Sequence, residues 1–151
     1  MNQNESKMNN KEIFENVFTS LDFISKWCKN FTKKDFEQNL MLMDAVAYRL
    51  YSVGTIAEKI NISKLEKDEI HLVYRLIEFK TIYSNPDFKI SMLSELVYDN
   101  ELGEIFRLVF FLLVEKYEPN AKIVSVEKDK LSRVYKYPII TSNSIWTVKK
   151  R

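Results

Sequence analysis

Apolar residues recur along the first 117 positions at steps of three and four, and polar breaks divide that rhythm into segments. Ile13, Phe14, Val17, Phe18, Leu21, Ile24, Trp27 and Cys28 form one stripe, predicting an amphipathic helix over 11–30. Thr32 is a capping residue for a second helix over 33–60. Its main stripe is Leu42, Val46, Leu50, Val53, Ala57 and Ile60, with Met43, Ala47, Tyr51 and Ile56 along a second edge. Ser63-Lys64-Leu65-Glu66 fits a capping box and opens a third helix, carrying Ile70, Val73, Tyr74 and Ile77 and reaching Tyr83. Asn85-Pro86-Asp87 stops it. A shorter helix over 91–98 breaks at Asp99-Asn100, and a fifth over 101–117 is apolar nearly all round, ending at Pro119-Asn120.

The pattern changes after residue 120. Segments 121–127, 133–140 and 144–149 are rich in β-branched and aromatic residues, with Ser142-Asn143-Ser144 as a turn. The expected architecture is therefore an all-α bundle of four to five helices over 1–120, followed by a short β-rich or extended arm over 121–151. Gly54 lies inside the second helix, where glycine costs about 1 kcal/mol against alanine. It points to close backbone approach by another helix or subunit, and simple tolerance reads equally well. The second and fifth helices carry more apolar surface than one bundle interior needs, so a homodimer is expected.

Composition adds few functions and removes several. A chain of 151 residues, 46% hydrophobic and 29% charged, suits one soluble domain with a full core. A single cysteine makes no internal disulfide, and Cys28 on an apolar face reads as a reduced structural thiol in the cytoplasm. With one histidine besides, no metal site and no cofactor is expected. The opening MNQNESKMNNKE has no signal-peptide pattern, and the run Ile105 to Val114, broken by Arg107, is too short to span a bilayer. No membrane association is expected.

MDAVAYRLYSVGTIAEKI, residues 43–60, with Phe36 ahead of it, resembles the signature helix of the HepT family of the HEPN superfamily. The residues that carry the resemblance are Asp44-Ala45-Val46, Arg49-Leu50, Gly54 and Ala57, and it covers roughly the first 60 positions. Members of that family are small helical proteins, usually the toxin half of bacterial toxin–antitoxin pairs. The resemblance implies an all-α fold, a two-fold dimer cleft, a nucleotidyltransferase antitoxin partner and metal-independent RNA cleavage by an Arg-x(4–6)-His motif followed by x-Tyr. In such chemistry imidazole moves protons between the 2′-hydroxyl and the leaving oxygen while guanidinium steadies the phosphorane charge.

The motif is incomplete in this chain. Arg75-Leu-Ile-Glu-Phe-Lys-Thr81-Ile82-Tyr83 keeps the spacing but has Thr81 where histidine belongs, and a threonine hydroxyl does not titrate near neutral pH. The alternative is that Arg75 is a solvated helix residue and Tyr83 a packing residue. Tyr83 is the position to which the family's AMP-modified tyrosine carries over. His71 lies one helical turn before Arg75, an inverted pair that would present two phosphate-facing groups on one face. A half-exposed, hydrogen-bonded histidine is the more ordinary reading. The favoured function is a HepT-like component of a prokaryotic toxin–antitoxin or defence module, with a decayed ribonuclease site, that binds a partner or RNA. The alternative is a non-enzymatic helical interaction protein, a phage- or plasmid-encoded inhibitor or adaptor using its basic tail.

Charge segregates toward that tail. Residues 121–151 hold eight Lys and Arg against two Asp and Glu, net +6, while the rest carries 15 basic and 19 acidic residues, net −4. Lys122, Lys128, Lys130, Arg133, Lys136, Lys149, Lys150 and Arg151, interleaved with Tyr135, Tyr137 and Trp146, suit RNA or single-stranded nucleic acid. An edge strand kept soluble by lysines is the competing reading. If these cations track phosphates, affinity should fall with salt at a logarithmic slope of about 0.7–0.9 per phosphate contacted. Replacing Lys149, Lys150 and Arg151 by alanine should flatten that slope; salt-independent binding would assign the lysines to solubility alone.

Overall fold

Short polar side chains open the first three helices of this chain, and they place the breaks there more finely than the apolar rhythm does. The computed structural model describes residues 8–85 and 87–117, with Tyr83 described by its backbone alone. Helix α1 runs Asn10–Cys28, opened by a reciprocal capping box in which Asn9 accepts from the Glu12 N–H and Glu12 accepts from that of Asn9. Helix α2, Lys33–Glu37, is capped by Thr32, whose Oγ1 accepts from the Asp35 N–H at 3.0 Å. The chain then turns at Gln38 and Asn39 before α3, Leu40–Ala57.

The expected unbroken helix over 33–60 is thus two helices. The reason is Asn39, which takes an extended backbone and accepts from the Leu42 N–H through its side chain at 3.0 Å. The third helix is also divided: α4 is Lys67–Glu78, and after Phe79 and Lys80 a single turn, α5, covers Thr81–Ser84. The N-cap of α4 is Glu66, three residues after the expected Ser63. Asn61 caps a 3-10 turn at Ile62–Lys64, and Glu69 reaches back to the Glu66 N–H. Helix α6 is Ile90–Tyr98 and α7 is Glu101–Leu112, which widens into a π-turn over Leu113–Tyr117. Asn100 between them has φ 74°, a left-handed conformation that asparagine tolerates better than most residues. Every regular element among the described residues is helical, giving the all-α bundle expected; the arm over 121–151 lies outside those residues.

Helices α1 and α3 form the central pair, with α7 laid on α1, α4 against α3 and α7, and α6 against α7 and α2. The α1 stripe is buried as read, except that Phe18 and Trp27 are half-buried at the margin. Phe14, Phe36 and Phe106 are the largest fully buried side chains, each worth roughly 2–3 kcal/mol by area burial. Phe18 joins α1 to α7, its ring 4.8 Å from that of Phe106 and 5.8 Å from that of Phe110. The apolar surface of α7 is therefore largely used within the chain. On α3 the second edge divides: Met43 and Ala47 are buried, whereas Tyr51 is exposed.

Polar clamps fix the ends of the bundle. The Asn10 amide donates to the Asn61 carbonyl at 3.0 Å and accepts from its N–H at 2.9 Å, tying the start of α1 to the loop after α3. The Tyr98 hydroxyl shares its proton between the carbonyls of Cys28 and Phe31, at 3.3 and 3.0 Å, tying α6 to the turn where α1 ends. Burial raises the pKa of that hydroxyl. The hydroxyl of buried Ser94 on α6 donates to Glu37 of α2.

Gly54 is the tightest point of the bundle. A Cβ built there would lie 2.6 Å from Lys80 Cγ, 2.7 Å from the Lys80 nitrogen and 3.0 Å from the Ile77 oxygen. The glycine thus serves close backbone approach by another helix of the same chain, at the end of α4. Two of the three neighbours are backbone atoms, so α4 would have to move to admit a methyl group. Gly54→Ala should lose about 1–3 kcal/mol of stability in a urea melt despite alanine's better helix propensity. An unchanged or higher midpoint would show that α4 yields freely.

Candidate functional site

The segment that resembles the ribonuclease motif is shaped by how α4 ends. Its apolar face buries Leu72, Val73 and Leu76, and Phe79 goes into the core just past the helix. Arg75 and Glu78 are thereby left on the outward side, and the turn at 79–80 redirects the chain so that Thr81 comes alongside them. Arg75, Glu78, Thr81, Ile82, Phe88, Met92, Leu93 and Glu101 line one open groove of about 220 Å³, floored in part by Phe79 and Leu96. The structure therefore brings Arg75 and Thr81 together. His71 is exposed and is not among the residues lining the groove. The side chain of Tyr83, like Lys122, Lys128, Lys130, Arg133, Lys136, Trp146, Lys149, Lys150 and Arg151, lies outside what the structure describes.

The groove's charge opposes phosphate. Arg75 Nη2 sits 3.5 Å from Glu104 Oε1, so the guanidinium already faces a carboxylate. Glu78 and Glu101 add two more negative charges to the lining. Each carboxylate at contact range from a phosphodiester costs about 1 kcal/mol in water, and more where the groove excludes solvent. Thr81 is also engaged: its Oγ1 donates to the Glu78 carbonyl at 2.8 Å, closing the turn after α4. Lys80, beside the groove segment, is held by Glu58 at 2.8 Å, and that hydrogen bond raises its pKa. Among the described residues of this segment, both cations, Arg75 and Lys80, thus already face a carboxylate.

A second, more apolar groove of about 100 Å³ adjoins the first and was not apparent from sequence. Leu40, Met43, Asp44, Ala47 and Ile90 line it, and it shares Ile82, Phe88 and Leu93 with its neighbour. The signal that could have found it is Leu40, an apolar residue off the helical stripe, which proves to be 66% exposed. Sequence reading also missed what Arg49 does. Its guanidinium lies 5.3 Å from the Phe23 ring and 5.6 Å from the Trp27 ring, which stack on each other at 6.0 Å, so α3 is pinned to α1 by cation–π contact. Among the described residues no group of three or more His, Cys, Asp and Glu side chains converges as a metal site would. No helix among them is long and apolar enough to cross a membrane.

Cys28 is the other potential nucleophile. It is buried, and desolvation pushes its thiol from the usual value near 9 up to about 12, against the opposing effect of its contact with Tyr98. A neutral thiol is a poor nucleophile, which fits a packing role. Because the folded value is raised, the stabilisation linked to this group is complete below about pH 9 and is lost as pH climbs toward 12. Native protein at pH 8 should not react with an aromatic disulfide reagent, and unfolded protein should react fully. Rapid labelling of the native state would place the thiol at the surface.

Compared with known protein families, curated proteins and solved structures, the chain finds no match.

Proposed function

We propose that this chain is a binding component of a prokaryotic toxin–antitoxin or defence module, HepT-like, in which the ribonuclease groove has lost its chemistry and holds a partner instead. The observation that carries this reading is the groove itself. Arg75 and Thr81 line one depression, as the spacing of a degenerate motif requires, yet Arg75 is bridged to Glu104 and flanked by Glu78 and Glu101. A site for RNA cleavage needs positive potential and a titratable proton carrier beside the scissile phosphate. Here the lining is net negative and threonine stands where the carrier would be.

As a HepT-like chain it would also self-associate, and the outer edge of α3, where Tyr48 is 60% exposed and Tyr51 38%, offers a surface for that. Its partner on this reading is a nucleotidyltransferase. The second reading, a helical interaction protein without this ancestry, draws on the basic segment over 121–151.

Purified full-length chain incubated with single-stranded RNA should give no cleavage above the buffer control. It should co-purify with a nucleotidyltransferase encoded in the adjacent reading frame. Cleavage that disappears in Arg75→Ala or His71→Ala would overturn the reading and restore a catalytic site. If the neighbouring frame encodes no nucleotidyltransferase, or no complex forms, the second reading takes its place.

A further inference from the structure

The two adjoining grooves share Ile82, Phe88 and Leu93 in their linings, Phe88 being the exposed one of the three, and each holds one methionine, Met43 in one and Met92 in the other. The rim is apolar and open: Leu40 is 66% exposed, Ile90 46%, Met92 41% and Phe88 38%. The lining is net negative, with Asp44 in one groove and Glu78 and Glu101 in the other against one cation, Arg75, which Glu104 already faces. We infer that this double groove docks a basic amphipathic helix of a protein partner, whose apolar side chains enter the two sockets that share Phe88 while its lysines and arginines meet the carboxylates.

The physical case has three parts. Two adjoining sockets match the side chains that one helix face presents at steps of three and four. Methionine, unbranched and polarizable, adapts to the shape of what enters, a property found on surfaces that accept varied apolar anchors. The net negative lining selects cationic flanks and turns away nucleic acid. The inference rests on the reading of the chain as a binding component, and names its surface and the chemistry of its partner.

The test uses the full chain with ¹³C-labelled methionine methyl groups and, as probe, an amidated Leu/Lys amphipathic peptide of roughly 14 residues, or four helical turns. The methyl signals of Met43 and Met92 should shift on titration while that of Met41, 84% exposed and absent from both groove linings, stays fixed. Affinity should exceed that for a scrambled peptide of the same composition, and for a Leu/Glu helix, by about tenfold or more. The Glu78→Lys/Glu101→Lys variant should weaken binding at least about tenfold. Ile90→Ser, at an exposed rim position that the fold tolerates, should weaken it without shifting the unfolding midpoint.

Equal binding of the scrambled peptide, or shifts that leave Met43 and Met92 unmoved, would overturn the assignment. Two other occupants would also overturn it. Concentration-dependent shifts of both methyls without peptide, with a dimer in light scattering, would make the occupant a second copy. Affinity rising about tenfold on neutralising Lys149, Lys150 and Arg151 would make it the chain's own basic segment. Failure of the peptide to bind while RNA stays intact moves the docking surface elsewhere; RNA cleavage sinks the underlying reading instead.

Discussion

At Gly54 the backbone of α3 meets the backbone just past the end of α4, with the stem of Lys80 lying against the same spot. The Ile77 carbonyl and the Lys80 nitrogen, themselves joined at 3.0 Å, press where a methyl group would otherwise stand. Much follows from that contact. It fixes where α4 ends, lets Phe79 turn into the core, and delivers Thr81 to the same side as Arg75. Lys80 then closes over the glycine with its ammonium on Glu58. A larger residue at position 54 would push α4 outward and dissolve the groove as well as part of the core.

The rest of the bundle is arranged to hold that pair of helices still. Arg49 lies across Phe23 and Trp27 to join α3 to α1, and the Asn10–Asn61 clamp secures the loop from which α4 departs. Lys116, in the π-turn after α7, reaches Glu69 in the first turn of α4 at 3.3 Å. The last two come from different elements and act on the start of α4. Rigid support of this sort is what a recognition surface needs, since a partner then loses less freedom on binding.

Electrostatics decides what such a surface receives. Along the sequence, Arg75 is a cation in a motif-like spacing, and nothing local says otherwise. In the fold, Glu104 comes from α7 and Glu101 from the same helix's first turn, converting a phosphate-seeking residue into one partner of an ion pair. The lining of the groove is therefore net negative.

How much of this was legible beforehand depends on range. The helical class, the stripe of α1, the break at Asp99-Asn100 and the buried character of Cys28 all follow from local periodicity or residue type, which a sequence carries openly, whereas the sequence left close approach at Gly54 as one of two equal readings. Asn39 and the shifted start of α4 were misread because asparagine and glutamate cap only in certain backbone settings. The second groove, the stacking of Arg49 and the pairing of Arg75 with Glu104 were not legible at all. Each joins residues from different helices: Leu40 and Ile90 lie 50 positions apart, and Arg75 and Glu104 lie 29 apart. The sequence alone determined which faces are apolar, and it left Gly54 open between close approach and simple tolerance. Only tertiary packing decided which carboxylates stand beside which cations, because that depends on how helices distant in the chain are set against one another.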